Sequence, residues 1–205
     1  MSARPSRLVG VLGGTFDPIH SAHLSVARAV LRELSLDEVL FVPAADPYLR
    51  SSPPVASAAD RVEMARLAIQ DEPPFRVSTV DIEREGPSYS VDTVRDLREE
   101  LGPETELFLI VGADAIERLP VWRSPGELLR KAGLVCVGRP GEPTPDTFPA
   151  GHPGRSARYV PGPMLNMSST EIRRRIAAGL PPGDEVSQQV AEYISKRGLY
   201  LDGGS

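Results

Sequence analysis

The sequence predicts an α/β fold, a Rossmann-like doubly wound parallel sheet followed by a C-terminal helical part. Three observations carry the prediction. Short apolar runs alternate with amphipathic segments along the 205 residues. Several runs are apolar throughout, as strands covered on both faces are. The connections between them are short, which suits βαβ crossovers. In order, strands are expected at 8–12 (LVGVL), 39–42 (VLFV), 75–80 (FRVSTV), 107–111 (LFLIV) and 134–137 (LVCV). A helix over 23–34 places Ala27, Val30, Leu31 and Leu34 on one face, and one over 91–101 does the same with Val94, Leu97 and Leu101 after a cap at Ser90. SPGE at 124–127 reads as a capping box with proline at the first helical position, and SSTE at 168–171 repeats the arrangement with Ser168 and Glu171. Between Gly138 and Pro163 lie seven prolines and five glycines, too many for a packed element, so 138–163 is expected as an exposed connector to the helical part, 164–205. Residues 1–205 are read as one domain without internal repeats.

Composition narrows the class. The chain is 40% hydrophobic and 25% charged, ordinary for a soluble protein, and no apolar run reaches the ~18 residues of a membrane span. No secretory leader pattern is read, and a cytoplasmic location is expected. The net charge of −5 and the scatter of basic residues, apart from RRR at 173–175, argue against nucleic acid as a partner. The single cysteine, Cys136, lies in an apolar run and reads as a core residue. With so few His and Cys, no metal cage is expected. A homo-oligomer stays open.

The densest stretch is GGTFDPIHSAHL, residues 13–24, which holds two of the three histidines. A strand runs into glycines, where the backbone can approach a ligand closely. Neither the P-loop nor the G-x-G-x-x-G pattern is present. With a helix starting near His20, His20 and His23 stand one turn apart at its positive end, and their ring N–H groups join the backbone donors and the dipole in favouring phosphate. A capped helix with one core and one solvated histidine is the plain alternative.

This stretch resembles the signature of the nicotinate/nicotinamide mononucleotide adenylyltransferases. The resemblance continues through PYLR (47–50), SYSVDT (88–93), VGADAIERLPVW (111–122), GRPG (138–141), MSSTEIR (167–173) and YISKRGLY (193–200), in family order over nearly the whole chain. It implies transfer of AMP from ATP to nicotinate mononucleotide, with release of pyrophosphate and with Mg²⁺ arriving on the triphosphate. It also implies residue roles. His20 and His23 contact the ATP phosphates, within a loop of Gly13, Gly14, Thr15 and Phe16. Ser168, Ser169 and Arg173 form a second phosphate site at a helix start, while Arg174 and Arg175 stay on the surface. Arg50 stands where the family has lysine. Gly112 and Asp114 end a strand near ribose or metal. Trp122 stacks on the pyridine ring beside Tyr89, and backbone N–H groups of Tyr89 and Ser90 hold the nicotinate carboxylate. Arg139 lines the adenine or mononucleotide pocket.

The chain departs from the pattern at Ala22, where most relatives have glycine, at Leu49, where histidine is usual, and at the apolar start of AAD (44–46). Nicotinamide mononucleotide as acceptor, another nucleotidyltransferase reaction, and a nucleotide-binding module without turnover remain the alternatives.

Overall fold

The computed structural model describes residues 7–47, 52–138, 141–163 and 167–201. Six strands form one sheet: β1 (Arg7–Gly14), β2 (Glu38–Pro43), β3 (Phe75–Val77), β4 (Thr105–Gly112), β5 (Gly133–Gly138) and β6 (Arg158–Pro161). Their order is β3-β2-β1-β4-β5-β6 and every neighbouring pair is parallel. The chain starts in the middle, winds outward to β3, then returns to the other side through β4. The strand order therefore reverses between β1 and β4, where Val11 faces Leu40 on one side and Leu109 on the other. Ligands of such sheets bind beyond the carboxyl ends of the strands at this switch point.

Alternation along β1 builds two cores. Leu12 enters one, with α1 (Ser21–Glu33), α2 (Ala58–Ile69), α7 (Ser169–Ala177) and α8 (Gln188–Arg197) packed over it through Ala27, Met64, Ile172 and Val190. Val9 and Val11 enter the other, under α4 (Ser90–Leu101), α5 (Ala113–Glu117) and α6 (Pro125–Lys131) through Val94, Ile116 and Leu128. Cys136 lies in this second core, and burial pushes its thiol up to about 11. The C-terminal helix docks on α2 at Asp60, whose carboxylate accepts from Ser57 Oγ (2.6 Å), Tyr193 Oη (2.8 Å) and Arg197 Nε (3.1 Å). The Ser57 bond leads the set that holds Asp60 below its usual range. Among the described residues no helix is long and apolar enough to cross a membrane.

Four expectations change. Within the expected connector, the described residues 141–163 are packed: they carry two 3-10 turns and β6, and bury Phe148 and Val160 at 6% and 2% exposure. Prolines are tolerated there because only a short edge strand is needed. The strand expected over 75–80 ends at Val77, and Val80–Glu83 forms a helical turn, α3. The second helix begins one residue early: Tyr89 is the N-cap of α4, and Ser90 is its first residue. At SPGE the helix starts as expected but the capping box does not form, because Ser124 adopts φ 49°, ψ 53° and its side chain makes no cap bond.

Candidate active site

Two clefts adjoin at the switch point. The larger, about 460 Å³, opens between the ends of β1, β4 and β5 and the starts of α1, α5 and α7. The smaller, about 220 Å³, lies on the other face, between β1, β2, β4 and α4. They share Gly13, Ile110, Val111 and Ala115, so Gly13 forms the sill between them.

The two glycines have different reasons. A Cβ on Gly14 would stand 2.8 Å from the Phe16 ring, whereas a Cβ on Gly13 would meet nothing within 4 Å. Phe16 turns the chain at φ 51°, Asp17-Pro18 follows as a cis peptide, and His20 becomes the N-cap of α1. The His20 N–H donates to His23 Nδ1 at 3.2 Å, and the two rings overlap with centroids 3.8 Å apart at 32°. Phe16 meets His23 edge-on at 5.0 Å. His20 is 7% exposed. Its Nδ1 is buried without a hydrogen-bond partner among the described residues. Burial lowers its pKa to about 4 against a smaller upward pull from Glu185. Both histidines line the larger cleft. His20 lines the cleft as a neutral imidazole at a helix start, where an anion that brings its own charge is favoured.

The expected backbone donors are only partly present. The Ser21 N–H donates to the Glu185 carbonyl at 2.7 Å, which removes it from any ligand, while Ala22 lines the larger cleft. Beneath the turn, Arg61 is 1% exposed and its guanidinium donates to the carbonyls of Thr15 (2.8 Å), Ala44 (2.6 Å) and Ala56 (3.3 Å). The sequence reading missed Arg61, which sits in a helical pattern without a visible signal of burial.

The start of α7 closes the larger cleft opposite the histidines. Ser168 caps it by accepting from the Glu171 N–H at 3.2 Å. Ser169 lines the cleft and its Oγ donates to the Pro18 carbonyl at 2.9 Å. Arg173 donates to the Asp17 carbonyl at 2.7 Å and is not among the cleft-lining residues. Through that bond it braces the turn. Arg174 is exposed and pairs with Glu171, while Arg175 donates to the Pro181 carbonyl at 3.3 Å. Gly112 ends β4, and Asp114 faces the cleft from the first turn of α5. Glu142, missed by the sequence reading, is the other carboxylate there. Among the described residues no group of three His, Cys, Asp or Glu is placed to hold a metal.

Trp122 walls the smaller cleft at 8% exposure, and its Nε1 is buried without an acceptor among the described residues. Ser90 lines the same cleft, with Ser88, Thr93 and a buried Asp81 that sequence reasoning missed. Asp81 accepts from Thr93 Oγ1 at 2.6 Å and from Arg84 at 2.7 Å, a pairing between two helices that no local pattern announces. Tyr89 does not line the cleft. Arg123 lies 4.7 Å over its ring, and its N–H donates to the Pro87 carbonyl at 3.1 Å. That amide is therefore withdrawn from the pair expected to hold a carboxylate. Arg50, Leu49 and Arg139 fall outside the described residues.

Comparison with known proteins gives a consistent picture. The sequence profile of the cytidylyltransferase-like family matches residues 11–175. A protein of Acidothermus cellulolyticus named "probable nicotinate-nucleotide adenylyltransferase" is 44% identical over all of both chains. One of the same name from Streptomyces coelicolor is 45% identical over 92% of this chain and 98% of its own. Among solved structures, nicotinic acid mononucleotide adenylyltransferase of Plasmodium falciparum, complexed with NaAD, superposes with a TM-score of 0.74 at 20% identity, covering 95% of this chain and 97% of that one. At that identity the likeness speaks for the fold.

Proposed function

The chain belongs to the cytidylyltransferase-like family, and from that premise we propose that it transfers the adenylyl group of ATP to nicotinate mononucleotide, forming nicotinate adenine dinucleotide and pyrophosphate. The observation that carries the reading is the pair of clefts meeting at Gly13, one lined by two histidines and one by a buried tryptophan. Two substrates seated in them bring their reacting groups together over the sill. The close relatives from Acidothermus and Streptomyces, with their shared name, support the same activity.

A 5′-phosphate oxygen of the mononucleotide attacks the α-phosphorus of ATP, a new oxygen–phosphorus bond forms, and the bond to the β-phosphate oxygen breaks as pyrophosphate leaves with its electrons. The nucleophile is already an anion, so no base is required. The protein holds two polyanions in line and neutralises developing charge. His20 and His23 face the larger cleft and supply donors to the phosphates, with His23 stabilising the transition state. Ser169 adds a hydroxyl from α7, and Arg173 acts through the Asp17 backbone. Trp122 stacks on the pyridine ring, and the Ser90 amide at the start of α4 receives its carboxylate. Asp114 and Glu142 line the larger cleft and would face a magnesium ion carried by the triphosphate, which would supply neutralisation of charge on the leaving group.

Purified protein is incubated with ATP, Mg²⁺ and either nicotinate or nicotinamide mononucleotide, and pyrophosphate is followed. Release with the acid is expected. No release with either acceptor refutes the reading, and a higher rate with the amide reassigns the substrate.

A further inference from the structure

Asp17 is a junction. Its carboxylate, 2% exposed, accepts from the Val55 N–H at 2.8 Å and the Ala56 N–H at 3.1 Å. Tyr200 Oη donates to its Oδ1 at 2.8 Å, and its carbonyl takes the Arg173 guanidinium. Donors from three distant segments therefore converge on the residue three places before His20. One of those segments is the end of the chain: Tyr200 lies beyond the family match, which stops at 175.

Tyr200 is 5% exposed and holds φ 67°, and Phe16, next to Asp17, holds φ 51°. Bulky residues rarely adopt this left-handed region, and they persist there where the surroundings over-determine them. The hydrogen bond between Tyr200 and Asp17 thus joins two strained segments. Burial, with the Asp17 carboxylate beside it, pushes the phenol far up, which keeps the proton on Oη. We propose that Tyr200 is a positioning residue: through Asp17 it sets the turn that presents His20 and His23 to the larger cleft, making the C-terminal segment part of the active-site scaffold.

Tyr193 provides the comparison. It too belongs to the C-terminal part, and it donates to a buried aspartate, Asp60, at 2.8 Å, but that bond docks α8 on α2 and does not touch the turn. A merely structural role predicts the same behaviour for both tyrosines. A positioning role separates them.

The test uses Tyr200→Phe and Tyr193→Phe, each of which removes one oxygen and keeps the ring. Both are expected to lower Tm by similar amounts. Only the kinetic arm rests on the adenylyl-transfer reading. There, Tyr193→Phe keeps kcat within about twofold, while Tyr200→Phe loses about tenfold in kcat with KM for ATP little changed, since a displacement approaching 1 Å at the reacting groups costs up to ~10²-fold. The second arm needs no turnover. The chain has three histidines, His20, His23 and His152, whose ring resonances are read by NMR. Tyr200→Phe is expected to shift those of His20 and His23 and leave His152, and Tyr193→Phe to shift none. Unmoved His20 and His23 resonances overturn the proposal, as does a kcat within twofold of the wild type. Shifted resonances in a protein without pyrophosphate release uphold the proposal and defeat the adenylyl-transfer reading instead.

Discussion

Replacing each of the adjacent glycines by alanine should separate activity from stability. At Gly14 the new methyl carbon stands 2.8 Å from Phe16 Cε1 and 3.0 Å from Cζ. The Phe16 ring cannot retreat, since it is 2% exposed and wedged against Phe41 and His23. Overpacking of this kind destabilises by about 1–3 kcal/mol, which in a chain of this size lowers Tm by several degrees, at ~2–4 °C per kcal/mol. At Gly13 the methyl meets nothing within 4 Å, and the residue does not hold a positive φ. Alanine there narrows the unfolded ensemble and is expected to be neutral or to stabilise by about 0.4–1 kcal/mol. Alternation along β1 sends that methyl to the face of Val9 and Val11, where the smaller cleft opens. A substrate atom seated against the bare Cα at van der Waals distance is held off by the added methyl carbon instead, and is displaced by up to roughly 1 Å. With up to ~10²-fold lost per ångström of misplacement, kcat/KM should fall about 10- to 10²-fold. Thermal unfolding and pyrophosphate release on the two variants supply the measurements. A Gly13→Ala enzyme at wild-type kcat/KM refutes the assignment of Gly13 to the sill, and a Gly14→Ala protein as stable as the wild type refutes the steric argument.

Three further outcomes are expected. His23→Ala should lose about 10²–10³-fold in kcat, the usual loss for one donor to developing charge, and a variant with unimpaired turnover removes His23 from the transition state. His20, with its pKa lowered from 6.5 to about 4 by burial, binds fewer protons folded than unfolded between those values. Its contribution is therefore fully present above pH 6.5 and lost as pH falls through about 4, by about 3 kcal/mol at 1.36 kcal/mol per unit. The Tm of His20→Gln should fall less steeply over that window than that of the wild type, and parallel Tm profiles contradict the shift. Trp122 is the only tryptophan, so nicotinate mononucleotide should quench the intrinsic fluorescence. Trp122→Ala should raise KM for the mononucleotide about tenfold or more while KM for ATP changes little, and equal effects on both substrates put Trp122 outside the pyridine pocket.

Much of the fold was legible because its signals are short-range. The apolar runs of β1, β2, β4 and β5 are buried on both faces, and Ala27 with Val30, and Val94 with Leu97, face the core as their spacing predicts. β6 was not legible. RYVP within a proline-rich stretch is a strand only because β5 offers it an edge, with Val160 opposite Val137, and an edge strand requires little of its own sequence. Nor was the conformation of Ser124, whose left-handed turn replaces the capping box that SPGE spells.

The site divides in the same way. The strand, the glycine turn and the helix start placing His20 and His23 one turn apart all lie between Arg7 and His23, and local sterics and periodicity specify them. Which donors remain available to a ligand is decided by partners 46, 156 and 183 residues away, when Arg61 takes the Thr15 carbonyl, Arg173 the Asp17 carbonyl and Tyr200 the Asp17 carboxylate. The physical reason is that a buried polar group must find a partner wherever the fold supplies one. The family resemblance proposed Arg173 for the phosphates, and only the tertiary structure shows that it also braces the turn through the Asp17 carbonyl.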